Sequence, residues 1–127
     1  MKEFGQLEWQ RSQRTITTAA ALVQSDPESA ASRAYYAAFH ALTALFALRG
    51  KSFKKHAALR GALHRDLIKS GEWPVELGKD YDSLTDLREA GDYGDVGGVS
   101  EQDARGAVEV AQRIIAACQE ELSRIDS

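Results

Sequence analysis

The sequence predicts an all-α protein, an antiparallel bundle of four to five helices. Three observations carry this reading. Alanine occurs 20 times and proline twice in 127 residues, a balance that favours packed helices over sheet. Apolar residues recur at spacings of three and four, the period of a helix with one buried face. Cap residues, glycine and proline divide the chain into helical lengths, and no run reads as a useful strand.

The first helix is expected from about Phe4 to Gln24, with Leu7, Arg11, Arg14 and Thr18 near one line. Ser25-Asp26-Pro27-Glu28 then resets the chain. Asp26 suits an N-cap, and Pro27 suits the first helical position, where a missing N–H costs nothing. The second helix runs to Arg49, with Gly50 as the residue just past its end. Between Ala30 and Leu48 it is apolar almost all round, which predicts the central, most buried helix.

A third helix is expected from Phe53 to Ser70, capped by Ser52 and stopped by Gly71. Trp73-Pro74 opens a fourth, ending near Ala90, and the glycine-rich stretch from Gly91 to Gly98 reads as a loop. Ser100-Glu101-Gln102-Asp103 resembles an N-terminal capping box. The fifth helix follows to about Ile125, with Val108, Ala111, Ile115, Cys118, Leu122 and Ile125 as its apolar stripe.

Length and composition bound what this bundle can be. A chain of 127 residues suits a single domain, 1–127, large enough for one core. With 43% hydrophobic and 28% charged residues it is neither a disordered tail nor a membrane protein. The apolar segment from Ala34 to Leu48 is interrupted by His40 and too short to span a bilayer. A net charge of −3 argues against coating DNA by bulk charge, yet leaves a local basic patch open. One cysteine, Cys118, can form neither an internal disulfide nor a zinc site alone, and the N-terminus has no apolar leader. A cytoplasmic location is the expectation.

Polar residues on apolar stripes point towards chemistry, because burying them costs free energy unless they have partners or a task. Arg33, Tyr36 and His40 stand at i, i+3 and i+7 on helix two, within about 60° of one another. The alternative is that this line is simply the exposed face. In helix three His56 lies on the line of Leu63 and Leu67, surrounded by Lys54, Lys55, Arg60 and Arg65, the alternative being a histidine satisfied by a backbone donor at the helix start. In helix four Leu77, Tyr81 and Leu84 mark the inner face, and the next member of the series is Arg88. An arginine there needs a carboxylate, a phosphate or a subunit boundary, the alternative being a helix-end arginine that snorkels to solvent and pairs with Asp92, Glu89 or Asp86. Asp92 and Tyr93 follow at once.

Several chemistries are disfavoured. His40, His56 and His64 form no Glu-x-x-His pair of the kind that builds a metal centre in a bundle, so no metal and no cofactor are expected. Cys118 sits on an apolar stripe and reads as core. The glycines from Gly91 to Gly98 lack the Gly-Lys-Ser/Thr of a phosphate loop. Trp9 and Trp73 are single anchors at element ends, not a stacking platform for bases. What remains is Arg33, Tyr36, His56, Arg88, Asp92 and Tyr93. Guanidinium and imidazole groups suit phosphates, and the same set would serve metal-free RNA cleavage or plain nucleotide binding.

These residues lie in recognisable runs. Ser32-Arg33-Ala34-Tyr35-Tyr36-Ala37-Ala38-Phe39-His40-Ala41 resembles the second helix of the compact HEPN domains. Lys55-His56, Gly71 and Leu87-Arg88-Glu89-Ala90-Gly91-Asp92-Tyr93 resemble that family's Arg-x-x-Ala-Asp-Tyr pattern in order and spacing. The resemblance implies a bundle that dimerises and is often encoded beside a minimal nucleotidyltransferase. It further implies roles in RNA cleavage, nucleotide binding or toxin–antitoxin pairing. Catalytic members carry Arg-x(4–6)-His, with two copies meeting at the dimer interface. Counted from Arg88, that histidine would fall on Tyr93, Gly94 or Asp95, so it is absent.

The expectation is therefore a homodimeric module that binds nucleotide, RNA or a nucleotidyltransferase partner with little or no catalysis. Arg88 and His56 would contact phosphate and are the catalytic candidates. Arg33 and Tyr36 would shape the cleft, and Asp92 would orient Arg88, with Tyr93 beside it. The alternatives are a metal-independent endoribonuclease toxin and a purely structural dimer.

Overall fold

The structure, a computed structural model, describes residues 2–92 and 98–126, without the side chains of residues 2, 91, 92, 125 and 126. Its elements are α1 (Lys2–Leu22), α2 (Pro27–Leu48), α3 (His56–Ala62), a π-helical stretch over Leu63–Ile68 that continues α3, α4 (Val75–Asp92) and α5 (Glu101–Asp126). No strand occurs among the described residues, so the chain forms the expected all-α bundle.

Helix α2 is the centre of the core. Its start is fixed by Asp26, which accepts from the Ser29 backbone N–H at 3.3 Å and the Ser29 hydroxyl at 2.6 Å, with Pro27 at the first position. These bonds hold the Asp26 carboxyl below its usual range. Its end is a Schellman motif. Gly50 N–H donates to Ala47 O at 3.0 Å and Lys51 N–H to Phe46 O at 2.9 Å. Gly50 sits at φ +78°, where a Cβ would be strained.

Between these caps Ala30, Ala31, Ala34, Ala37, Ala38 and Ala41 are all fully buried. Their small side chains let α1, α4 and α5 pack closely on α2. The α1–α2 pair is antiparallel: Ser12 Oγ donates to Ala37 O at 2.7 Å, and farther along Glu8 meets His40 at 2.6 Å. Leu42, Leu45, Leu59, Leu63, Leu67, Leu84 and Ile114 complete the interior, each at most 1% exposed. Truncating one such leucine to alanine typically costs about 2–5 kcal/mol.

Helix α5 opens with a reciprocal box in which Asp103 N–H donates to Ser100 Oγ at 3.0 Å and Ser100 N–H to Asp103 Oδ2 at 3.2 Å. Of its expected stripe, Val108, Ala111, Ile115 and Cys118 are buried and Leu122 is half-buried. Burial pushes the Cys118 thiol well above its ordinary value, so it is an inert core residue.

The third helix departs from expectation. It starts at His56 with Lys55 in the cap position and no side-chain cap bond, so Ser52 caps nothing. Phe53 instead tethers an extended connection by packing edge-on to Phe46, with ring centroids 5.3 Å apart. From Leu63 the helix widens into π geometry, seen in the bond from Lys69 N–H to His64 O at 2.8 Å. Leu63 and Leu67 both face the core, while His64 reaches Asp82 on α4 at 3.0 Å.

Candidate functional site

Two adjacent tyrosines on α2 begin the site. Consecutive residues on a helix point about 100° apart, so Tyr35 is buried at 2% exposure while Tyr36 is only half-buried. Arg88, one turn beyond Leu84 on α4, reaches across both. Its guanidinium carbon lies 4.8 Å from the Tyr35 ring centroid and 5.7 Å from that of Tyr36. Its Nη1 donates to Tyr36 Oη at 3.1 Å. The planar fork is thus held by π-faces and a hydroxyl, a geometry that lysine would not reproduce.

His56 enters from the start of α3. Its ring stacks on Phe39 with centroids 4.3 Å apart and planes 24° apart, and Nδ1 lies 2.9 Å from Tyr35 Oη. Which of the two donates in that bond follows from the histidine tautomer. Burial, then the positive charge of Arg88 and the nearby His40, lower the pKa of His56. The neutral imidazole is therefore favoured at neutral pH. Burial also raises the pKa of Tyr35, which stays a phenol despite the counteracting Tyr81 hydroxyl and Arg88. Beneath it Tyr81 is fully buried; its hydroxyl lies within the influence of Tyr35, but no well-formed hydrogen bond joins it to a described residue.

These groups border an open groove between α3 and α4 of about 500 Å³, lined by Tyr35, His56, Arg60, Thr85, Arg88 and Glu89 among others. Three of the residues singled out from sequence, Tyr36, His56 and Arg88, come together: His56 and Arg88 line the groove, and Tyr36 touches both from behind it. Arg33 does not join them. It is exposed on α2 and acts electrostatically on the N-cap Asp26. Asp92 is the last residue of α4, but its side chain lies outside the described residues, as does Tyr93 altogether.

Tyr35 and Arg60 escaped the sequence reading of the site. Arg60 stands four residues after His56, hence on the same helix face, and that spacing was the available signal. Tyr35 gave none, because a buried tyrosine in an alanine-rich helix reads as core. A further pair, Glu8 and His40, joins α1 to α2 nearby, with Phe39 between His40 and His56. No cluster of three or more metal-binding side chains occurs among the described residues, and no helix is long and apolar enough to cross a membrane.

The arrangement can hold an anion against a fixed arginine beside a neutral imidazole, with aromatic edges for a base or sugar. Comparison with known proteins agrees with this architecture. The HEPN domain family matches residues 7–122. A protein of Thermotoga maritima described as a UPF0332 protein is 33% identical over 106 residues, covering 82% of this chain and 80% of its own length. With a family match across nearly the whole helical core, this chain belongs to the HEPN domain family.

Proposed function

We propose that this HEPN chain binds the phosphate of RNA or of a nucleotide in the α3–α4 groove, with little or no catalysis of its own. It acts as a homodimer and as one component of a toxin–antitoxin-like pair with a minimal nucleotidyltransferase. The observation that carries this reading is the Arg88 guanidinium, placed 4.8 Å over the Tyr35 ring and hydrogen-bonded to Tyr36 Oη at the edge of a groove. A guanidinium already held in place loses little conformational freedom when a phosphate arrives, so a charge-assisted contact is gained at low entropic cost. His56 adds an imidazole from the facing α3 wall. The absent histidine after Arg88 supports binding over turnover.

The second reading is a metal-independent endoribonuclease. It is favoured by one observation, the neutral His56 imidazole fixed by Tyr35 and Phe39 beside Arg88. One assay separates the two. Labelled mixed RNA is incubated in EDTA with wild type and with Arg88→Ala, and retention and cleavage are both scored. Retention without cleavage by wild type, lost in a folded Arg88→Ala variant, is the expected result. Cleavage that depends on Arg88 establishes the nuclease. Equal retention by both proteins removes Arg88 from the site.

A further inference from the structure

The groove has a second arginine that the reading above leaves unused. Arg60 projects from α3, and its Nε donates to Asp82 Oδ1 on α4 at 2.8 Å. The same carboxylate oxygen lies 3.0 Å from His64 Nε2. Burial opposes ionisation of Asp82, but the bonds from His64 and Arg60 prevail and hold its carboxyl below the usual range. Asp82 is therefore a fixed anion braced from two sides. His64 is itself locked, since a Cβ at Gly78 would lie only 2.9 Å from its Cε1. The tether occupies only the Nε of Arg60. Among the described residues its two terminal nitrogens take no partner, and Arg60 lines the groove.

The two arginines are thus anchored separately, Arg88 by Tyr36 and its neighbouring ring, Arg60 by Asp82. Asp82 and Arg88 are six residues apart on one helix, about 9 Å along its axis. Because the two forks are held on separate anchors, one on each wall of the groove, each can meet its own anionic group through charge-assisted N–H···O bonds near 2.8 Å. Thr85 lies between them on the groove wall, with its hydroxyl spent on Tyr81 O at 3.1 Å. Thr85 therefore offers no hydroxyl proton to an anion between them, and Glu89 disfavours a third anion at the Arg88 end.

Resting on the phosphate-binding reading, we propose that the groove holds two phosphates separated by a nucleoside. Arg88 takes one phosphate and Arg60 the other, while Asp82 and His64 are positioning residues for Arg60. The ligand class is then a single-stranded RNA segment spanning two phosphates. A nucleoside diphosphate, whose phosphates are directly joined, would engage one arginine at a time.

Fluorescence anisotropy with 3′-labelled, 2′-O-methyl UpU and pUpU in EDTA tests this, the methyl groups preventing cleavage through the 2′-oxygen. Competition with UMP and UDP separates the two sources of paired phosphate. Wild type is expected to prefer pUpU over UpU by about tenfold and to treat UMP and UDP alike. Arg60→Gln should abolish the preference, leave UpU binding within about twofold, and lower the salt slope for pUpU by about one. Arg60→Lys should restore part of that slope. Asp82→Asn, which keeps the Arg60 charge and loses its tether, should weaken pUpU alone, and it serves if Arg60→Gln fails to fold.

Equal wild-type affinity for the two dinucleotides overturns the inference, as does an Arg60→Gln variant that weakens both equally. A UDP preference that depends on Arg60 overturns it in favour of a nucleotide ligand. If wild type binds neither dinucleotide, the phosphate-binding reading falls and takes this inference with it. UpU binding with no pUpU preference leaves that reading standing.

Discussion

The grip of Arg88 on the two tyrosines can be measured without any ligand. Tyr36→Phe removes one hydroxyl, the acceptor of the 3.1 Å bond from Arg88 Nη1, and leaves the ring in place. A hydrogen bond from a charged donor is worth about 1.5–3 kcal/mol when well buried. Tyr36 and Arg88 are both half-buried, so a loss of about 1 kcal/mol is expected. Arg88→Lys keeps the charge but loses the fork and the face contact at 4.8 Å from the Tyr35 centroid. That contact contributes about 1 kcal/mol in a partly desolvated setting, giving a loss of about 2 kcal/mol with the bond included. The double variant should then lose less than the two losses added, the coupling being about 0.5–1 kcal/mol. Urea unfolding followed by circular dichroism gives all four stabilities, and each kcal/mol should appear as about 3–5 °C in thermal melts. Additivity within about 0.3 kcal/mol would show that Arg88 and Tyr36 do not interact in solution, and the preorganised fork would be lost as an argument.

Two other predictions concern pH and glycine. His56 and His40 both have lowered pKa values, chiefly from burial, which for His40 outweighs the hydrogen bond to Glu8 and is aided by Arg11; Arg88 adds to the shift of His56. Below the unfolded value of 6.5 the unfolded chain binds protons that the native state resists, so stability should fall as pH drops from 6.5 towards 5. Urea midpoints at pH 7.5 and 5.5 check this, and a midpoint that does not fall would refute the burial argument. The lowered carboxyls of Asp82 and Asp26 act only nearer and below 3.8, outside that window. Gly106→Ala on α5 should stabilise by about 0.5–1 kcal/mol, since nothing lies within 4 Å of its added Cβ. Gly78→Ala should instead destabilise, because its Cβ would stand 2.9 Å from His64 Cε1 and 3.2 Å from Ile68 Cγ1. Opposite signs in thermal melts are expected, and a stabilising Gly78→Ala would mean that α3 and α4 are not so tightly apposed.

The legible part of this protein is what local chemistry decides. Asp26 and Pro27 mark the start of α2, Gly50 marks its end, and Ser100 with Asp103 opens α5, because each satisfies backbone groups within a few residues. The third helix was misread where distant contacts rule. Phe53 lies before the helix, packed edge-on to Phe46 from α2, and the π turn at Leu63 lies where the segment meets α4, contacts between elements far apart in sequence. The site follows the same division. Arg88 announced itself as a charge ending an apolar stripe, and His56 as an imidazole in line with buried leucines. That the two meet at Tyr35 depends on how α2, α3 and α4 pack, which helical phase does not contain. Arg33 shows the converse, since sharing a line with Tyr36 did not bring it to the groove.

The charge balance bears on how such a groove would work. With a net charge of −3 the chain as a whole repels a nucleic acid at long range. Attraction must therefore arise within about a Debye length of Arg88 and Arg60, about 8 Å at physiological ionic strength. A two-arginine contact on an acidic protein gives a shallow salt dependence, with a slope magnitude of about 1.5 for single strands. A basic coat making many phosphate contacts would be far steeper. Such a modest slope would limit affinity for RNA in bulk and would leave selectivity to fixed geometry, which two separately tethered guanidinium groups would supply. In a dimer, two such grooves joined rigidly would raise avidity for a strand long enough to reach both. RNA length, rather than total charge, would then be the variable to which binding responds.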